Sequence, residues 1–291
     1  MVIDCHYHLE ERLLTIEELL QNMDATGVHK VALMGTQIDP FKEPSPFLVG
    51  LLQFLLTHSS LRNLGKRFVA DFTPEGNIKI LGDIFRICPD PDNEPVFRAV
   101  QQHPDRFLGW IFVNPRGQKD QVAQFERFKG APGFVGVKAH PFWNHHTPLE
   151  LAPVAEKLAA TGKPMLIHVG FGGEGDYDAL LGQVPNLKLI LAHTGFPLYS
   201  QTWNAIRDKE NIFVDLSQTT YVGEKTTRQA VEYLGVDRCL FGTDGPYGFH
   251  GEDGKFDYGF IKRRIERLFP DEGVQRRLLG ENFAELAGIQ Q

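Results

Sequence analysis

The chain has 291 residues, 42% of them hydrophobic and 23% charged, which is ordinary globular usage and excludes a largely disordered chain, a collagen-like repeat or a coiled coil. Thirty basic against 37 acidic side chains give a net charge of −7, with none of the basic excess that nucleic-acid binding requires. Three widely spaced cysteines, Cys5, Cys88 and Cys239, argue against a disulfide framework, and the longest apolar stretch, 47–56, is about half of what a membrane span needs.

The first apolar run, 2–5, is not preceded by the charged and apolar regions of a signal peptide, so a cytoplasmic protein is the expectation. Further runs at 30–34, 107–113, 134–138, 164–168, 188–192, 212–215 and 238–242 read as buried strands. Helical spacing lies between them. Ile16, Leu19, Leu20 and Met23 mark 15–25; Leu151, Val154, Ala155, Leu158 and Ala159 mark 149–160; 224–234 and 258–269 are similar. In the last of these Lys262, Arg263, Arg264 and Arg267 alternate with apolar residues and read as a solvated face.

Strand and helix repeated eight times predict parallel pairing with helical crossovers, and eight such units close into a (β/α)8 TIM barrel, an α/β fold. An open doubly wound sheet would carry a Gly-rich phosphate turn after the first strand, where this chain has His-Tyr-His. Residues 1–291 thus read as a single barrel domain with one insertion after the second strand, at 37–91, too long for a bare loop. Its segment 47–56 is apolar nearly all round and must be covered on most sides. The expectation is a cap over the barrel mouth that also buries a subunit interface in a homodimer; an internally packed decoration is the alternative.

Polar residues stand where the predicted strands end, the place where barrel active sites are built. In 4–8, Asp-Cys-His-Tyr-His, alternation sends Asp4, His6 and His8 one way and Ile3 and Cys5 toward the helices. Two imidazoles side by side at a strand end suit a shared metal ion. His168 closes the fifth strand before a stretch containing Gly170, Gly172, Gly173 and Gly175, and reads either as a satisfied core histidine or as a site residue. His193 repeats that pattern one unit later. Asp244, in Phe-Gly-Thr-Asp, ends the eighth strand beside the first; its carboxylate can bind a metal, accept a proton from water, or both. Lys138 and His140 face inward by alternation. A lysine there is costly unless paired or functional, so Lys138 either holds an anionic substrate group or is carbamylated and bridges two metals. Tyr247 joins Lys138 and His140 as a candidate for orienting the substrate. Trp143, Phe171 and Phe249 are candidate apolar walls. His145 and His146 read as surface or mouth residues, and Cys5 and Cys239 as packed behind the barrel wall.

These motifs, together with 136–141, 166–168, 192–193, 241–244 and 280–284, make the chain similar to the amidohydrolase superfamily. It most resembles the amidohydrolase 2 group of metal-dependent TIM-barrel hydrolases, which includes relatives of aminocarboxymuconate-semialdehyde decarboxylase. The resemblance implies one divalent ion, usually zinc, held by His6, His8, His168 and Asp244, with His193 as an imidazole near the substrate. A His/Asp site also accepts manganese, iron or cobalt. Binuclear members carry a carbamylated lysine on strand four, with His168 and His193 on the second ion. The expected activity is hydrolysis of an amide, ester or lactone of a small anionic substrate. Asp244 would take the water proton and His193 donate to the developing oxyanion. Non-oxidative decarboxylation at the same residues is the alternative; a metal-free lactonase or a binding protein is a lesser one.

Overall fold

A computed structural model describes residues 1–40, 45–69, 71–170, 176–248 and 255–290. Every expected apolar run is a strand: β1 (Ile3–Leu9), β2 (Lys30–Gly35), β3 (Phe107–Phe112), β4 (Phe134–Ala139), β5 (Met165–Ile167), β6 (Leu189–Leu191), β7 (Ile212–Asp215) and β8 (Cys239–Leu240). Sheet order follows chain order and each neighbouring pair is parallel. The ring closes where the chain after β8 returns to β1. There Cys5 N–H donates to Phe241 O at 3.0 Å, Asp244 N–H to His6 O at 2.7 Å and His8 N–H to Gly245 O at 2.7 Å. The fold is the TIM barrel.

The helices follow from local signals. In α1 (Ile16–Thr26) the Thr15 hydroxyl accepts from the Glu18 N–H while the Glu18 carboxylate accepts from the Thr15 N–H, and Gly27 ends the helix at φ 68°. The segments expected at 224–234 and 258–269 are helices Glu224–Leu234 and Phe260–Leu268. The one at 149–160 is a 3₁₀ turn, Pro148–Leu151, running into Ala152–Ala159. One expectation is corrected. Arg264 is buried, donating to Val222 O at 2.7 Å, whereas Arg263 and Arg267 stay exposed. It lies three residues after Ile261 and four before Leu268, on the apolar face itself.

Two apolar layers hold the barrel. Val31, Leu33, Ile111, Val137, Met165 and Leu189 pack outward against helical residues such as Leu19, Met23 and Leu158. The lumen is filled by Ile3, Cys5, Met34, Trp110, Leu166 and Ile190, closed by Phe283 and Leu286 of the helix Asn282–Ala287. Ile3 and Cys5 therefore face the lumen and not the helices; only Cys239 packs behind the wall. The pairing of β1 with β2 slips register between Asp4 and Tyr7, so one extra residue is accommodated there. Cys5 and His6 then share the inner side, and Asp4 turns outward. Its carboxylate accepts from Thr243 N–H (3.0 Å), the Thr243 hydroxyl (2.6 Å) and the Tyr258 hydroxyl (3.1 Å), tying β1 to the chain after β8.

Between β2 and the crossover helix Glu94–Gln102 stand α2 (Pro46–Thr57), α3 (Arg62–Val69) and an antiparallel sheet of Asp71–Phe72, Ile78–Ile80 and Asp83–Phe85. Ile78 packs with Ile38, Ile87 and Tyr247, and Phe72, Phe142 and Trp143 lie against them. The Gln53 amide on α2 donates to Tyr221 O at 2.6 Å. These contacts seat the segment on loops that follow β4, β7 and β8. Phe171, Gly172, Gly173, Gly175 and Phe249 lie outside the described residues. No helix among the described residues is long and apolar enough to cross a membrane.

Candidate active site

His6, His8, Lys138, His140, His168, His193, Asp244 and Tyr247 all line one cavity of about 500 Å³ at the C-terminal ends of the strands. The sequence-predicted residues are thus brought together. Within the group, His6, His8 and Asp244 are closest: one ligand atom from each lies within 4.8 Å of the others. His6 Nε2 stands 3.0 Å, and His8 Nε2 3.3 Å, from Asp244 Oδ1. Although so near a carboxylate, the buried His6 Nε2 makes no aligned hydrogen bond. Donor atoms that converge without bonding one another fit a divalent cation better than a hydrogen-bond network.

Neighbours set the direction of each ring. His6 Nδ1–H donates to Asp215 Oδ2 at 2.9 Å, and His8 Nδ1–H to Gly35 O at 3.2 Å, which leaves both Nε2 lone pairs facing Asp244. Asp215 also meets His6 and His193 within ligand distance, but its oxygens are already spent. Oδ1 accepts from His193 N–H (3.0 Å), Ser217 N–H (3.1 Å) and the Ser217 hydroxyl. With its hydrogen given to Asp215, the Ser217 hydroxyl accepts from His193 Nδ1–H at 2.8 Å. His193 Nε2 is therefore bare and lies 3.9 Å from Asp244 Oδ2, which also accepts from Gln218 Nε2 at 3.0 Å.

His168 lines the cavity but is not in the closest trio. Its Nδ1–H donates to Val169 O at 2.9 Å, and its ring stacks on His140 at 4.3 Å. His140 is sandwiched by Trp143 at 4.1 Å, and its Nδ1 accepts from Trp143 N–H. The Tyr247 hydroxyl bonds the Thr36 hydroxyl at 3.0 Å, and its ring meets His8 edge-on. Lys138 is buried with no hydrogen bond or ion pair among the described residues. His146 proves buried, donating through Nδ1 to Thr147 O, while His145 is exposed.

Charge states follow from burial and proximity. Burial pushes the Lys138 ammonium down to about 8, against the pull of Asp244 and Asp215. Burial likewise lowers His193 to about 4 and holds His140 and His168 well below the usual imidazole range. For Asp244 burial alone would raise the pKa; the close approach of His6, His193 and His8 overcomes it, leaving the carboxyl well below its ordinary value. His8 too is lowered by burial, whereas for His6 burial is outweighed by the pull of Asp244 and Asp215, which raises the pKa. The cavity thus offers four imidazoles held neutral, one drawn toward its charged form, an ionised carboxylate and one buried lysine.

Backbone strain gathers here too. His193 (φ 53°), Thr194 (55°), Gln218 (63°) and Asp244 (61°) are non-glycine residues in the left-handed region, each costing on the order of 1 kcal/mol. Sequence reasoning missed Asp215, Ser217, Gln218 and Tyr221. The alternation of polar residues in Asp215-Leu-Ser217 as β7 ends was the available signal.

Residues 71–288 match a protein-family model described as amidohydrolase. A search of curated proteins by sequence found no match. Among solved structures, a Pseudomonas putida protein put forward as a 2-pyrone-4,6-dicarboxylic acid hydrolase superposes with TM-score 0.63 at 16% identity, covering 100% of this chain and 98% of that one. The 5-carboxyvanillate decarboxylase of Sphingomonas paucimobilis gives 0.62 at 14%, covering 99% of each chain. That of Novosphingobium aromaticivorans, complexed with manganese and 4-hydroxy-3-methoxy-5-nitrobenzoic acid, gives 0.57 at 17%, covering 93% of this chain and 79% of that one. At these identities the likeness is one of fold.

Proposed function

The chain belongs to the amidohydrolase family, and on that premise we propose that it activates water to cleave an amide, ester or lactone of a small substrate bearing an anionic group. The observation that carries this reading is the meeting of two imidazole nitrogens and an ionised carboxylate, His6, His8 and Asp244, on the seam between the first and last strands. These residues would hold one divalent ion, with zinc the first choice and manganese, iron or cobalt alternatives. His168, kept neutral by burial and with Nε2 unengaged, is the further imidazole for that ion. Such an ion supplies Lewis acidity and makes a water proton acidic near neutral pH.

The side chains do the rest. Asp244, ionised at neutral pH, takes the proton of the attacking water. His193, neutral with a bare Nε2, cannot donate to the oxyanion at the outset, as the sequence suggested it would. It first receives the proton from Asp244 Oδ2, 3.9 Å away, and then delivers it to the leaving group. The imidazolium so formed is stabilised through Ser217 and ionised Asp215. Lys138 holds the anionic group, with His140 and Tyr247 shaping the wall around it. A carbamylated Lys138 would replace that role with a bridge between two ions.

Non-oxidative decarboxylation is the second reading. Two of the similar structures are decarboxylases, and the same carboxylate and imidazole would then protonate the carbon that loses carbon dioxide. The exposed apolar face of α2 and α3 supports a homodimer.

The test begins with metal per chain in protein purified without added metal, expected near one. Turnover of an ester, lactone and amide panel and of aromatic carboxylates in ¹⁸O-water follows; label in the organic product supports hydrolysis, and release of carbon dioxide with no label in the organic product supports the lyase. Asp244→Asn is expected to lose at least about 100-fold in kcat/KM, in the range of general acid–base contributions. Full turnover in that variant would overturn both readings of Asp244.

A further inference from the structure

A second cavity, of about 900 Å³, adjoins the first and shares its wall, because His168, Trp143 and Tyr221 line both. The two are chemical opposites. The first holds the imidazoles, Asp244 and Lys138. The second is walled by Val49, Leu52 and Leu56 of α2, Ile78 and Ile80 of the small sheet, and Phe196 after β6, with no charged side chain among its described lining residues. No arginine lines either cavity among the described residues, and Lys138 is the one lysine.

We propose that the substrate is amphipathic: a single anionic head held beside Lys138 and the ion-binding residues, and an aliphatic tail lodged between the barrel mouth and the insertion. The proposal rests on the reading of the first cavity as the active site. A second carboxylate on the tail would lose its hydration with no cation among the described lining residues to meet it, which is strongly unfavourable. A methylene chain instead leaves water for a wall of its own kind. Tail length is then chosen by residues of 37–91, and the barrel itself reads the head.

The test is calorimetric binding of acetate, hexanoate and decanoate to the metal-loaded enzyme. Each added methylene is expected to tighten binding by roughly two- to fourfold until the cavity is full. Leu52→Trp and Ile80→Trp fill the cavity from two separate elements, so misfolding of one leaves the other to report. Each is expected to weaken decanoate at least tenfold more than acetate. Equal affinity of the wild type for acetate and decanoate, or undiminished tightening in both tryptophan variants, would overturn the proposal. Because binding is read without turnover, the two readings fail separately. Chain-length-dependent binding with no turnover of any ester, lactone or amide keeps the tail site and rejects the hydrolase. Ester turnover indifferent to acyl length rejects the tail site alone.

Discussion

Asp215 lies behind the imidazoles, yet it decides where their nitrogens point. Its Oδ2 fixes the His6 tautomer, and its Oδ1 orders the Ser217 hydroxyl that in turn fixes His193. Burial alone would raise its pKa, but the charges of His6 and His193 and bonds from His6 and Ser217 hold it below the usual carboxylate range. Asp215→Asn keeps the size and removes the charge. Its expected effect is a 10- to 100-fold loss of metal affinity, the usual consequence of removing an orienting partner of a ligand histidine, read by competition with a chromophoric chelator. Unchanged affinity would mean that Asp215 serves packing only. At this scale much of the candidate site was legible, because His6, His8, Lys138, His168, His193 and Asp244, which line one cavity, each stand where an apolar run gives out. Asp215 was passed over, since an acid followed by Leu216 looks like any strand terminus unless its alternation with Ser217 is weighed. Cys5 was placed on the wrong face because a register slip leaves no mark in composition.

Among the elements, α2 illustrates how little an apolar run by itself says of what covers it. Leu52 and Leu56 turn inward, while Phe47, Leu51 and Phe54 stay 82%, 43% and 48% exposed; on α3, Leu64 and Phe68 are 47% and 45% exposed. Aromatic and aliphatic surface of this kind, grouped on two adjacent helices, marks an interaction site more often than an idle patch. If a second copy of the chain covers it, sedimentation will show a dimer, and Phe47→Asp combined with Phe54→Asp will sediment as a monomer at the same concentration. A monomeric wild type would remove the argument for a homodimer. The strands of the small sheet escaped the sequence because two or three residues are too few to show alternation. The barrel strands, of which β5, β6 and β8 are no longer than these, were readable because each carries an apolar run, and the helices because of their spacing.

Across the whole molecule, the residues proposed to hold the ion sit on the closure of the barrel. His6 and His8 belong to β1 and Asp244 follows β8, so an ion held by all three joins the first and last units of the chain across the seam. That seam is otherwise closed by a few backbone hydrogen bonds and the Asp4 clamp on Thr243 and Tyr258. Metal binding and barrel closure should therefore be one event. At a free ion concentration about 100 times its Kd, linkage predicts about 2.7 kcal/mol of added stability. Zinc or manganese is expected to raise the thermal midpoint of the metal-stripped protein, and a chelator to reverse the rise. Asp244→Asn should abolish most of it. The same addition should slow amide exchange in β1 and in the chain after β8 more than in β3 or β4, which lie far around the ring. A rise in midpoint with uniform protection would place the ion's effect elsewhere than on the seam.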